Sequence, residues 1–322
     1  MNERAPLLLQ LDPDQARRAA DFFESYANTV SQGLYGPPQE DGSGTDASMS
    51  DVPGWAVRVD TSTSLRLAGQ WAMLFDTERA RRLLSAAGGI LHDLGHGFGT
   101  YLLVAYSAEP PNLSQVASRV EMMTGRHRPD GEVRGDSLLP EPLSYPQQQA
   151  YLLVAATGMV RNSEASHATP GETDVDMDEY AAWHVRIERH LQLLLSRSPH
   201  RRGVATVGAL GTPIRVYWDI ASHLLRPGPG STDSVIGHLR TMAQRYSTAV
   251  DLAMANKRLW FNGAAPVDVC DVDITTLALI AARALGVDHF RSALRSALAE
   301  TTGLESVPLG IVDAMLPDTD RG

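Results

Sequence analysis

Ile90-Leu91-His92-Asp93-Leu94-Gly95-His96 is the stretch of this 322-residue chain whose residue types and spacing suit metal chemistry. Two histidines four residues apart share one face of a helix, so His92 and His96 can reach a single zinc ion. Asp93 then stands where a glutamate would serve as general base toward a metal-bound water, on a shorter arm. Gly95 and Gly97 lower the helix propensity at that point, and no third ligand follows at a set spacing. The competing expectation is structural. Gly88-Gly89 and Gly95-His96-Gly97 mark a joint between two helical hairpins, with His92 capping or lining it.

Residues Leu91, His92, Asp93, Gly95 and His96 also resemble the HD-hydrolase family, in which an adjacent histidine and aspartate ligate a metal. The His92–His96 spacing is similar to that of the zincins. Either resemblance implies a metal-dependent hydrolase centred on His92, Asp93 and His96. The HD pattern includes an earlier histidine, and His92 is the first histidine of this chain.

Other candidates have plainer readings. The aspartates at 174, 176 and 178 lack the glycine and glutamate of a calcium loop and fit a solvated helix start. Asp268, Asp271 and Asp273 bracket Cys270 beside Trp260 and Phe261. They make either an acidic pocket with an aromatic floor or a loop whose last aspartate caps a helix. Cys270 has no basic neighbour in sequence to lower its pKa. Neither GxGxxG nor GxxxxGK[ST] occurs, and Gly-x-Ser-x-Gly is missing. No cofactor is implied.

Composition narrows the classes. Net charge is −10 with no basic face, which speaks against a nucleic-acid binder and favours a basic partner surface. The one cysteine forbids an internal disulfide and suits a reducing interior. There is no signal peptide pattern and no apolar run of about 18 residues, so a cytoplasmic, non-membrane protein is expected. Lys257 is the single lysine among 28 basic residues, a bias that fits a GC-rich bacterial genome.

The elements that must position these residues read as helices. Alanine and leucine dominate, and helix formers outnumber strand formers, so the expected class is all-α with ten to twelve helices. Residues 1–35 form an N-terminal helix opened by Asp12-Pro13, with Ala16, Ala20, Phe23, Tyr26 and Ala27 on its apolar face. Residues 36–60 form a Gly/Pro/Ser/Asp-rich flexible segment, with Trp55 to Asp60 a short extended piece. Residues 61–225 form a helical-hairpin domain, and residues 231–322 form a C-terminal helical region packed on it. Asp273 and Asp288 are expected to cap the last two helices.

The clearest hairpin runs from Ser64 to Ala87. Leu67-Ala68, Trp71, Ala80, Leu84 and Ala87 place a large residue, a small one, an aromatic, an alanine, a large residue and an alanine in turn. That spacing resembles the tetratricopeptide repeat. The resemblance implies stacked antiparallel helical hairpins, an irregular α-solenoid, and an adaptor or scaffold that binds another protein. Glu78, Arg79 and Arg82 lie opposite the apolar stripe and are the expected partner-binding residues. Neutralising a toxin or defence effector is a second role open to a compact, acidic helical protein.

Overall fold

The computed structural model describes residues 13–35, 54–125, 145–167, 177–197, 206–207, 211–255 and 272–317. These residues form twelve α-helices, and the protein is all-α. One antiparallel pairing of two-residue strands joins β1 (Thr206–Val207) to β2 (Thr212–Pro213). Among the described residues no helix is long and apolar enough to cross a membrane. Cys270, Asp268, Asp271, Trp260, Phe261, Lys257 and the aspartates at 174 and 176 lie outside the described residues.

The first four helices pack each on the next: α1 (Pro13–Tyr35), α2 (Gly54–Ala72), α3 (Thr77–Asp93) and α4 (Gly97–Tyr106). The four-residue link between α2 and α3 forces the pair to double back. Asp76 ends that link as the N-cap of α3, its carboxylate accepting from the Arg79 amide at 2.9 Å. Ala68, Trp71, Ala80, Leu84 and Ala87 are all buried, as their spacing requires. Two expectations fail here. Trp55 to Asp60 forms the opening turns of α2 instead of an extended piece, because Val57 is buried as part of a helical face. Tyr26 is 46% exposed and stacks on Phe22, also exposed, so only the alanines of that face are buried.

Next come α5 (Leu113–Gly125) and α6 (Tyr145–His167). A reciprocal pair of bonds opens α5: Gln115 N–H to Asn112 Oδ1 at 2.9 Å and Asn112 N–H to Gln115 Oε1 at 3.2 Å. The remaining helices are α7 (Met177–Arg197), α8 (Ile214–Leu225), α9 (Ser231–Ala255), α10 (Val272–Leu285), α11 (Val287–Ala299) and α12 (Ser306–Met315). Here the packing is no longer only between neighbours in sequence. α10 touches α4, α6, α8, α9, α11 and α12. Every residue from Val272 to Ala282 is buried. An Ile, Leu and Ala surface on all sides makes that the stable place for it.

Asp273 is therefore not a cap. It is the second residue of α10, buried, and Tyr151 Oη donates to its Oδ2 at 3.4 Å. Asp288 is not a cap either. Gly286, at φ +95°, occupies the N-cap of α11 and places Asp288 in the first turn.

The inner helices approach closely only where side chains are absent. A Cβ on Gly158 of α6 would lie 2.4 Å from Ile280 Cγ2 of α10. Gly158→Ala is therefore expected to lower stability by about 1–3 kcal/mol through overpacking, despite its better helix propensity. Gly237→Ala, in α9 with nothing within 4 Å, is expected to raise stability by about 0.5–1 kcal/mol. Urea midpoints of the two variants moving in the same direction would contradict this packing.

Candidate functional site

The His92–His96 stretch is a joint between α3 and α4. Two backbone bonds end α3: Gly95 N–H to the His92 carbonyl at 2.9 Å and His96 N–H to the Leu91 carbonyl at 2.8 Å. This is the Schellman arrangement, and it needs a left-handed residue at Gly95, where φ is +80°. Helical continuity is broken between the two histidines. His92 sits in the last turn of α3, and His96 is the N-cap residue of α4, with no side-chain capping bond. The four-residue spacing therefore does not put both imidazoles on one helix face.

Each side chain has a separate environment. His92 Nδ1 lies 2.9 Å from Thr100 Oγ1, and the His92 carbonyl accepts from Arg119 at 2.8 Å. Burial, then the Arg119 charge, holds the His92 pKa below its ordinary value. Asp93 is exposed and pairs with Arg58 at 3.1 Å. His96 is 4% exposed, and neither ring nitrogen has a hydrogen-bond partner. Burial pushes its pKa down to about 4, so the ring is neutral at pH 7. Backbone crowds the joint: a Cβ on Gly99 would lie 2.3 Å from the backbone nitrogen of His92. Gly97 N–H donates to Gln148 Oε1 at 3.2 Å, docking the joint on α6. Among the described residues no three His, Cys, Asp or Glu side chains gather into a metal-ligating group. Among the described residues, His92, Asp93 and His96 are not joined by a further ligand and do not converge as the HD-hydrolase or zincin resemblance implies.

Glu78, Arg79 and Arg82 lie in the first two turns of α3. Two of them are engaged with α1. Arg79 donates to Glu24 through Nε at 3.0 Å and Nη2 at 2.6 Å, and its Nη2 is 2.6 Å from Asp21. Its side chain is 18% exposed. Burial alone would lower the Arg79 pKa, but the bonds to Glu24 and Asp21 outweigh it and raise the pKa. Arg82 pairs with the same Glu24 at 3.2 Å. Glu78 faces outward on the rim of a cavity that also includes Arg81.

A concave surface that the sequence reading passed over lies on α5 and α7. An open groove of about 820 Å³ is lined by Glu121, Arg186, Arg189, His190 and Leu193, among others. Large apolar side chains stand exposed on the same two helices: Met122 on α5, and Val185 (64% exposed) and Leu193 on α7. Arg186 lies over the Trp183 ring at 4.9 Å and pairs with Glu121 at 3.6 Å. Arg189 is exposed and has no salt bridge among the described residues. Burial first, and then Arg189, lowers the His190 pKa against the pull of Glu121. The sequence did carry a signal. Val185 and Leu193 fall outside the stripe of Tyr180, Trp183, Ile187, Leu191 and Leu194 that faces the core, so their apolar side chains have nothing beneath them to cover.

Comparison of the chain with models of known protein families, with curated proteins and with solved structures found no match.

His96 gives a pH signature. The folded protein takes up its proton only near pH 4, whereas the unfolded chain does so from about pH 6.5 downward. The contribution to stability is fully present above pH 6.5 and is lost as pH falls toward 4, by about 3 kcal/mol. His96→Gln removes this titration. Its urea midpoint is expected to fall less between pH 7 and pH 4.5 than that of the parent, and parallel curves would contradict the assignment.

Proposed function

We propose that this chain is a non-enzymatic protein–protein interaction adaptor that holds its partner in the groove between α5 and α7. The observation that carries the reading is a concave surface lined by exposed Leu193, with Met122 and Val185 exposed on the same two helices. Scattered exposed apolar residues are ordinary, but three on the two helices that flank one groove are the makings of an anchor site. The occupant is an amphipathic helix of another protein. Its apolar side chains cover Val185 and Leu193, and an acidic side chain meets Arg189, the arginine of the groove that no carboxylate among the described residues holds. This local charge is opposite to the bulk charge of the chain, so the partner segment is acidic, where net charge alone suggested a basic one.

The reading also places the partner away from the first turns of α3, because Arg79 and Arg82 are already committed to Glu24 and Asp21. A tetratricopeptide-like reading of the α2–α3 pair is supported by the common burial of the positions of that spacing. Such hairpins serve as rigid supports for a binding face. The setting is a bacterial cytoplasmic system, and neutralising a toxin or effector is one form the same docking takes.

Val185→Glu combined with Leu193→Glu tests the site. In affinity purification from the native host, the principal partner is expected to fall at least about tenfold with the double variant, as it does when interface anchors are lost. Arg79→Ala is expected to leave the partner in place and to lower thermal stability instead, by loosening α1. A partner retained by the double variant and lost with Arg79→Ala would reverse the assignment.

A further inference from the structure

A second cavity, of about 330 Å³, lies between the first turns of α3, the C-terminal half of α10 and the end of α12. Part of its wall is apolar, from Leu279, Ala282, Val287, Ala314 and Met315. Two arginines, Arg81 of α3 and Arg283 of α10, line the same space. Among the described residues neither forms a salt bridge. Glu78, the one acid on the rim among the described residues, pairs with neither of them.

Each arginine has a structural task. Arg81 donates to the Met315 carbonyl at 2.6 Å, at the end of α12, and Arg283 donates to the Val104 carbonyl at 2.5 Å, at the end of α4. A guanidinium carries five N–H donors, and each of these bonds uses one of them. Helix capping therefore explains where the arginines are held. It leaves unexplained why two like charges share one small space in which, among the described residues, neither pairs with a carboxylate. The repulsion is felt at Arg283, whose pKa is lowered by burial and then by the Arg81 charge. The start of α11 at Val287 borders the cavity and adds the partial positive charge of a helix N-terminus.

We propose that this cavity binds a small organic oxyanion, a carboxylate or phosphate monoester on a compact apolar body, clamped between Arg81 and Arg283. The chemistry follows from the walls. Two planar forks match a planar or tetrahedral oxyanion, and an anion placed between them removes their mutual repulsion. Leu279, Val287 and Met315 cover the apolar body. The volume lies at the lower end of ligand pockets, which run from about 300 to 1,000 Å³, so the ligand is about the size of a single ring. The site is separate from the α5–α7 groove and does not depend on it.

Calorimetric titration of the full chain with benzoate, phenyl phosphate and inorganic phosphate, at fixed ionic strength in chloride, tests the site. Benzoate or phenyl phosphate is expected to saturate at one per chain. The tighter of the two identifies the head group, and inorganic phosphate is expected to bind more weakly than either. Arg81→Met and Arg283→Met are each expected to weaken that binding by at least about tenfold, the scale of a lost charge-assisted bond. Arg240→Met, at an exposed arginine paired with Glu300, serves as the control and is expected to bind as the parent does. Circular dichroism establishes that each variant is folded. Should one cavity variant fail to fold, the other decides. No saturable heat from any of the three probes, or parent-like affinity in a folded cavity variant, would overturn the proposal.

Discussion

Burial of α10 on every side is the constraint on which the rest of this molecule depends. A helix that presents Val272, Ile274, Leu277, Leu279 and Ile280 around its whole circumference is stable only when other helices enclose it. Six of them do, and they come from both halves of the chain. Enclosure forces its polar groups to find partners inside. Thr276 donates to the Val272 carbonyl one turn back and lies beside Tyr106, and Tyr151 donates to Asp273. It also fixes spacing, because α6 can lie against α10 only where Gly158 leaves room for Ile280. Interiors packed at this density transmit any misfit, so glycine at that crossing is a requirement of volume.

The ends of the helices are governed by a second rule. An α-helix leaves its last carbonyls without backbone donors, and here arginines fill several of those places. Arg119 reaches His92 at the end of α3, Arg283 reaches Val104 at the end of α4, and Arg81 reaches Met315 at the end of α12. Arg291 reaches Leu316 just beyond α12. Each is a long side chain from one helix holding the terminus of another, with a planar head well suited to a carbonyl. The arginine bias of the composition thus has a structural use, whatever its genomic origin. It also has a consequence. Burial lowers the pKa of two of the arginines drawn inward for this work, Arg119 and Arg283.

Much of the local structure was legible in the sequence because its signals are local. Asp76 and Asn112 announce the starts of α3 and α5, and the glycine of Leu94-Gly95-His96 announces the end of α3. The misreadings share a cause. Val57 and Val59 favour a strand locally, yet burial against neighbouring helices holds them in α2. Asp273 reads as a cap because an acid before an apolar run usually is one, but α10 begins a residue earlier and carries that carboxylate into the interior. α12 escaped notice because Pro308 interrupts its pattern, although proline costs no bond in a first helical turn. Of the candidate sites, the residues of the joint were found, but their separation was not. A four-residue spacing reads as one helix face, and only the backbone shows that the helix ends between the histidines. The pairing of Arg79 was hidden for a long-range reason: nothing near it in sequence indicates that Glu24 and Asp21 of α1 will cover it.

Hydrogen exchange along the chain in increasing urea tests the central claim most directly. If α10 is enclosed on all sides, its amides from Leu277 to Ala282 open only when the whole molecule unfolds. Their exchange free energy then equals the global value and falls with the same urea slope. Exchange of that segment through a local opening, with a free energy well below the global value and little urea dependence, would contradict the account.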